Sequence, residues 1–181
     1  PLVSLVKIGR SITAVTDIDV LLKVIAEETK IAIQADRCTV FMLDKEKNEL
    51  WSKVALGMDS QEIRFPADKG LAGYVVKTGE PLNIPDAYND PRFNPDIDKE
   101  TGYRTKTILC MPIKNNNQEI IGAFQVLNKL SGVFTKGDED LLVAIGGSAS
   151  IALENAQLFE QQKELYKEQK ILFESFIDTL A

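Results

Sequence analysis

Arg37 and Thr39 stand two apart in the apolar run Arg37–Leu43 (RCTVFML), so on a strand their side chains share a face. A guanidinium beside a hydroxyl suits the hydrogen-bonding edge of a purine, which presents both donors and acceptors. Farther along, Phe65-Pro66-Ala67-Asp68-Lys69-Gly70-Leu71-Ala72-Gly73 carries a strand into a helix. Asp68 is expected to cap that helix, and Gly70 and Gly73 leave room for something to approach the backbone. The amides of Leu71 and Ala72 would point outward at the positive end of the helix dipole, where anions bind. Taken alone, a Gly-flanked helix start is a weak signal, and an Arg that begins a strand is usually a solvated surface residue. Thr101 and Thr105 on a following polar loop and Gln125 on the last strand add neutral hydrogen-bonding groups. Such a set suits a neutral sugar and base with one anionic phosphate.

The residue types that are missing narrow the chemistry further. The 181 residues contain no histidine, which removes the commonest general base and the commonest transition-metal ligand. Ser-His-Asp and Cys-His catalysis are ruled out within the chain, and no acidic pair stands in an obviously buried, apolar setting. No catalytic residue, metal ligand or cofactor is therefore assigned, and a binding module is favoured over an enzyme. A net charge of −6 argues against nucleic acid, whose phosphates are bound by clustered Lys and Arg. Cys38 and Cys110 fall inside apolar strand runs, so buried free thiols in a reducing compartment are expected and the cytoplasm is the default location. No apolar run reaches the roughly 18 residues of a membrane span, so no membrane contact is expected.

The elements that must hold these residues are legible in outline. Leu2, Leu5, Val6, Ile8 and Ile12 predict a short opening helix over 1–16, and Asp17 predicts the cap of a second. Arg37–Leu43 and Glu49–Leu56 read as a hairpin, with Ile63-Arg64-Phe65 as a third strand. Gly70–Thr78 is a short helix closed by Gly79, and Leu82-Asn83-Ile84 is an edge strand. Pro85–Thr105 has three prolines and little apolar periodicity, as a lid or binding loop has. Thr107–Ile113 and Glu119–Leu127 form a second hairpin, which completes an α+β sandwich with a six-stranded antiparallel sheet and helices on its faces.

From Lys136 onward the chain reads as one helix. Ile151, Leu158, Leu165 and Leu172 recur every seven residues, with Asn155, Gln162, Gln169 and Phe176 as the companion seam. That pattern predicts a parallel coiled coil whose polar seam fixes register. Three segments follow: 1–16 as a dimer-associated helix, 17–158 as the domain, and 159–181 as a signalling helix. The pattern is still running at Ala181, which leads us to expect an output domain beyond it.

The spacing Asn128-Lys129, Phe134, Asp138-Glu139 spans a strand end, a turn and a helix start. It reads as a strand-to-helix clasp: Lys129 pairs back to Asp138 or Glu139, and Phe134 plugs the corner. The same spacing resembles the signature of cyclic-nucleotide-regulated GAF domains. Together with ADRCTVFMLD, EIRFPADKGLAGYVVKTGEPLNIPDAY, TGYRTKTILCMPIKN and NKLSGVFTKGDEDL, it makes the stretch from about Arg37 to Leu158 similar to the GAF domains of mammalian cyclic-nucleotide phosphodiesterases and cyanobacterial adenylyl cyclases.

The resemblance implies a phosphate on the amides of Leu71 and Ala72. It places a base near Arg37, Thr39, Ala55 and Leu56, with lid contacts from Asn94, Asp98, Thr101 and Thr105. The Arg-x-Thr pattern resembles cyclase domains that select cyclic AMP. Ala55-Leu56 stands where a guanine-reading domain carries Phe-Asp, Gln125 stands where it carries Glu, and Asn94 replaces a lid tyrosine. Cyclic AMP is therefore expected ahead of cyclic GMP. The expected function is a regulatory domain in a parallel homodimer that signals to a diguanylate cyclase, adenylyl cyclase or phosphohydrolase. The alternatives are a ligand-free dimerisation module or a cGMP-selective sensor; a tetrapyrrole or redox sensor fits poorly.

Overall fold

The computed structural model describes residues 17–56 and 59–180, with the side chains of 54–56 and 59–61 left aside. The helix expected over 1–16 lies outside the described residues. Asp17 caps helix α1 (Ile18–Ile33), its carboxylate accepting from the amides of Asp19 at 2.9 Å and Val20 at 3.2 Å. Strands β1 (Ala35–Asp44), β2 (Glu49–Leu56) and β3 (Asp59–Pro66) follow, then helix α2 (Gly70–Thr78) and β4 (Leu82–Ile84). Helix α3 (Asp96–Thr101), strands β5 (Ile108–Lys114) and β6 (Ile120–Lys129), and helix α4 (Lys136–Leu180) complete the chain.

The six strands make one antiparallel sheet in the order β3-β2-β1-β6-β5-β4. At its centre Arg37 pairs with Leu127, Thr39 with Gln125 and Phe41 with Ala123. Strand alternation divides the core into two layers. Val40 and Met42 pack with Leu22, Ile25 and Ile145 beneath α1 and α4. Phe41 turns the other way and packs with Leu71, Val75 and Ile108 beneath α2. Cys38 packs against the first layer and Cys110 belongs to the second, so the two thiols sit on opposite sides of the sheet. Burial pushes both thiols up, Cys110 to about 12, which keeps them protonated.

The segment Pro85–Thr105 departs from the loop that its composition predicts. It contains a 3₁₀ turn at Ala87–Asn89 and the six-residue helix α3. Asn94 Oδ1 accepts from the amide of Asp96 at 3.0 Å, Asp96 and Asp98 lie in the first turn, and Gly102 ends the helix at φ 68°. Local capping and dipole terms thus supply what apolar periodicity does not.

Helix α4 runs 45 residues, about 68 Å at 1.5 Å per residue. Leu142, Ile145, Ala149, Leu153 and Ala156 recur at helical spacing and bury against the sheet. Ile151 is 47% exposed while its neighbour Ala152 is 6% exposed. The seven-residue stripe therefore lies on a separate face and begins before the helix leaves the domain. One stretch of α4 is long and apolar enough by length and composition to cross a membrane, but 44% of it is buried inside the domain, as in the core helix of a globular protein.

Candidate ligand-binding site

The site starts from the central strands. Thr39 and Gln125 are Cα partners, both half-buried, on the side of the sheet that carries Phe41 and α2. Arg37 continues this face to the strand end, where its guanidinium carbon lies 3.7 Å from the centroid of the Tyr103 ring. Ala55 and Leu56 pair through their backbone with Ser60 and Asp59 in β3, and their side chains fall among those left aside.

Above this face sits the start of α2. The cap position belongs to Lys69, which offers no side-chain cap, so the expected cap by Asp68 is corrected. Lys69 N donates to Pro66 O at 3.0 Å, closing a turn that leaves Asp68 one residue too early to cap. The first amide to bond back is that of Gly73, to Lys69 O at 3.1 Å. Helix geometry leaves the amides of Gly70, Leu71 and Ala72 without intrahelical acceptors. The side chains of Leu71 and Ala72 are buried in the second core layer and hold this end of the helix in place. Gly73 is required by close approach: a Cβ there would lie 2.9 Å from Ala67 O and from the Asp68 carbonyl carbon. An uncapped amide cluster on a rigid mount can bind an anion.

The lid closes on itself through Asp98, which is 6% exposed. Its carboxylate accepts from Thr105 N at 2.7 Å, Thr105 Oγ1 at 2.8 Å and Tyr88 Oη at 3.0 Å. Burial works to raise its pKa, but these three hydrogen bonds and the Arg104 charge outweigh it, so the carboxyl is held below its ordinary value. Thr101 Oγ1 donates to Ile97 O at 2.7 Å and, like Asn94, is exposed on the lid. Asn94, Asp98, Thr101 and Thr105 thus direct polar atoms to the lid's own helix and buckle. Arg92 chelates Asp90 at 2.6 and 2.9 Å, holding that carboxyl down at about 2, and lies 5.4 Å from the Tyr74 ring of α2.

Tyr103 and Tyr88 are site residues that the sequence reading did not single out. Tyr103 Oη donates to Asp36 Oδ2 at 2.6 Å and accepts from Asn128 Nδ2 at 2.9 Å. Burial and the Asp36 carboxylate both push its pKa up, so the phenol stays protonated. The only local hint was two tyrosines in an otherwise polar segment.

The Asn128–Glu139 spacing separates into distinct contacts. Asn128 holds the lid: its Oδ1 accepts from Lys106 N at 2.6 Å and its Nδ2 donates to Arg104 O at 2.8 Å. Its φ of 57° places it in the left-handed region that asparagine tolerates. Lys129 Nζ donates to Asp138 Oδ1 at 2.9 Å and to Ile33 O, joining β6, α4 and the end of α1. Phe134 is buried at the corner. Glu139 accepts from Asn83 Nδ2 of β4 at 2.9 Å.

The fold is an α+β sandwich, one six-stranded antiparallel sheet with helices on both faces, and the start of α2 packs into the core layer on one of them. The model of the GAF domain family matches residues 17–153, and the chain belongs to that family. It is 43% identical over 157 residues to a dual 3',5'-cyclic-AMP and -GMP phosphodiesterase 11A of Takifugu rubripes, covering 80% of this chain and 17% of that protein. It is 38% identical over 167 residues to a Caenorhabditis elegans protein described as "Probable 3',5'-cyclic phosphodiesterase pde-5", covering 86% of this chain and 23% of that one. The chain thus spans about a fifth of the length of these relatives. Among solved structures, the GAF domain of an Acinetobacter phosphoenolpyruvate-protein phosphotransferase superposes with a TM-score of 0.70 at 20% identity, covering 87% of this chain and 94% of that one. At that identity the likeness concerns the fold alone.

Proposed function

We propose that this GAF domain is a regulatory module that binds a cyclic nucleotide, cyclic AMP ahead of cyclic GMP, between the lid, the sheet and the start of α2. The observation that carries the reading is one core layer that joins three parts: Leu71 and Ala72 below free amides, the β1–β6 face with Thr39 and Gln125, and the lid residues Ala87 and Phe93. The amides suit one phosphate, and the neutral hydrogen-bonding groups suit a sugar and base. Similarity to a dual cyclic-AMP and -GMP phosphodiesterase and to a probable 3',5'-cyclic phosphodiesterase supports the ligand class. Arg37 with Thr39 supports the adenine preference. Occupancy would pass through α4, in a parallel dimer, to a downstream cyclase or phosphohydrolase in the cytoplasm. Two protonated thiols on opposite sides of the sheet suit that reducing setting.

Mass spectrometry of small molecules released from the denatured protein, followed by calorimetric titration with cyclic AMP and cyclic GMP, tests the ligand directly. Nanomolar-to-micromolar binding of cyclic AMP, with weaker binding of cyclic GMP, is expected. No heat and no thermal shift with either nucleotide would sink the reading. A second reading, a dimerisation module that takes no ligand, draws on the lid's self-sufficiency, since Asp98 buckles to Thr105 and Tyr88 within the chain. It predicts the same dimer and the same stability with and without nucleotide.

A further inference from the structure

Tyr103 joins three segments that are distant in sequence. Its ring lies against the Arg37 guanidinium at 3.7 Å, and its hydroxyl bridges Asp36 Oδ2 and Asn128 Nδ2 at 2.6 and 2.9 Å. Asn128 is in turn fixed by the backbone at Arg104, Lys106 and Thr107, where the lid runs into β5. The neighbouring carboxylate, Asp36, is engaged by the phenol and not by Arg37. Among the described residues, the Arg37 side chain makes no ion pair and no hydrogen bond, and the ring face is its partner. Five N–H donors are thus held in one plane and left unspent.

We infer that Tyr103 is the positioning residue for Arg37: the ring fixes the guanidinium plane at the junction of lid and sheet, the hydroxyl fixes the ring, and the N–H edge is presented to acceptor atoms of a purine base. The inference rests on the nucleotide reading above and adds the residue that sets its base selectivity. An unstacked arginine loses rotamer freedom when it binds, whereas a stacked one has lost it beforehand. The stack also ties base recognition to the lid, because the hydroxyl that holds the ring is held by the residue that anchors the lid's end.

The test is a double-mutant cycle read by calorimetric titration of cyclic AMP and cyclic GMP into wild type, Tyr103→Leu, Arg37→Ala and the pair combined. Tyr103→Leu is expected to weaken cyclic AMP about tenfold, the scale of a cation–π contact. Arg37→Ala should cost as much, and the combined variant no more than Arg37→Ala alone. Both single variants should move the ratio of cyclic AMP to cyclic GMP affinity in the same direction. Tyr103→Phe, which keeps the ring, should weaken cyclic AMP about threefold and be silent on top of Arg37→Ala; it decides the matter if Tyr103→Leu does not fold. Additive losses, or parallel weakening of both nucleotides with an unchanged ratio, overturn the assignment while leaving nucleotide binding intact. A wild-type protein that binds neither nucleotide overturns the reading above and this one with it.

Discussion

Asp98 concentrates the lid's internal order in one carboxylate. Three donors converge on it in a buried setting, so its loss removes the buckle between α3 and the chain entering β5. A hydrogen bond to a charged acceptor contributes about 1.5–3 kcal/mol, and Asp98→Asn leaves an amide that cannot accept from all three. The expected result is faster amide exchange over 88–105 with little change in the sheet. The lowered pKa gives this contact a pH dependence of definite sign. A carboxyl whose folded pKa lies below its unfolded value, about 3.9, stabilises fully above that value and loses its contribution as pH falls through the folded one. Lid opening, read as exchange normalised to the intrinsic amide rate at each pH, should therefore be flat from neutral pH to about 5 and rise below about 4. The Asp98→Asn variant should lack that rise. Equal acid sensitivity in both proteins would show that Asp98 is not the group responsible.

At the scale of elements, Lys129 holds β6 to two helices at once. Its ammonium and its partner Asp138 are each 12% exposed, so both charges are largely desolvated. Burial works to raise the Asp138 pKa, and the Lys129 and Thr135 hydrogen bonds outweigh it, holding the carboxyl down. Lys129→Met strands that carboxylate and also frees the Ile33 carbonyl at the end of α1. A cost of about 3 kcal/mol is expected in urea unfolding, with the preference between cyclic AMP and cyclic GMP unchanged. A shifted preference with full stability would place Lys129 in ligand recognition instead. The Lys129–Asp138 spacing was legible in the sequence because the two residues are close along the chain. Strands and long helices were legible for a similar reason, since apolar period fixes both type and face: β1 alternates as Arg37, Thr39 and Phe41 require, and α2 ends at Gly79 as its sequence predicts. Helix α3 was not, because six residues rich in charge carry no period. The cap at Asp68 failed by one position, set by a turn whose hydrogen bond only the folded backbone reveals. Tyr103 lay furthest from view, since its partner Asp36 is 67 residues away. Asn128 was visible as part of a motif, yet the lid it holds could not be read from its neighbours.

The whole molecule is a compact sandwich from which one helix departs. Beyond Ala156 no residue of α4 up to Leu180 is buried, although Leu158, Leu165 and Leu172 are each at least 55% exposed on one stripe. Isolated helices gain little from propensity and depend on packing of an apolar face. In the proposed dimer the seven-residue period would supply such a face to a second copy, with a seam of mostly polar residues that favours one register. For the proposed signalling role orientation would matter, because only a parallel pair would deliver two downstream domains to the same end of the stalk. Leu172→Cys distinguishes the arrangements. In a parallel pair the two copies of residue 172 meet, within the Cα separation of about 4.4–6.8 Å that a disulfide needs. In an antiparallel pair, equivalent residues meet only near the middle of the overlap. Both native thiols are buried or partly buried on separate sides of the sheet and raised in pKa, so they compete little for oxidant. Mild oxidation of Leu172→Cys should therefore give a covalent dimer, and Leu158→Cys, two heptads earlier, should give one as well. Cross-linking at only one of the two positions, or at neither while light scattering still gives a dimer, would indicate an antiparallel pair, and a monomer with no cross-link would leave the exposed stripe to a different partner.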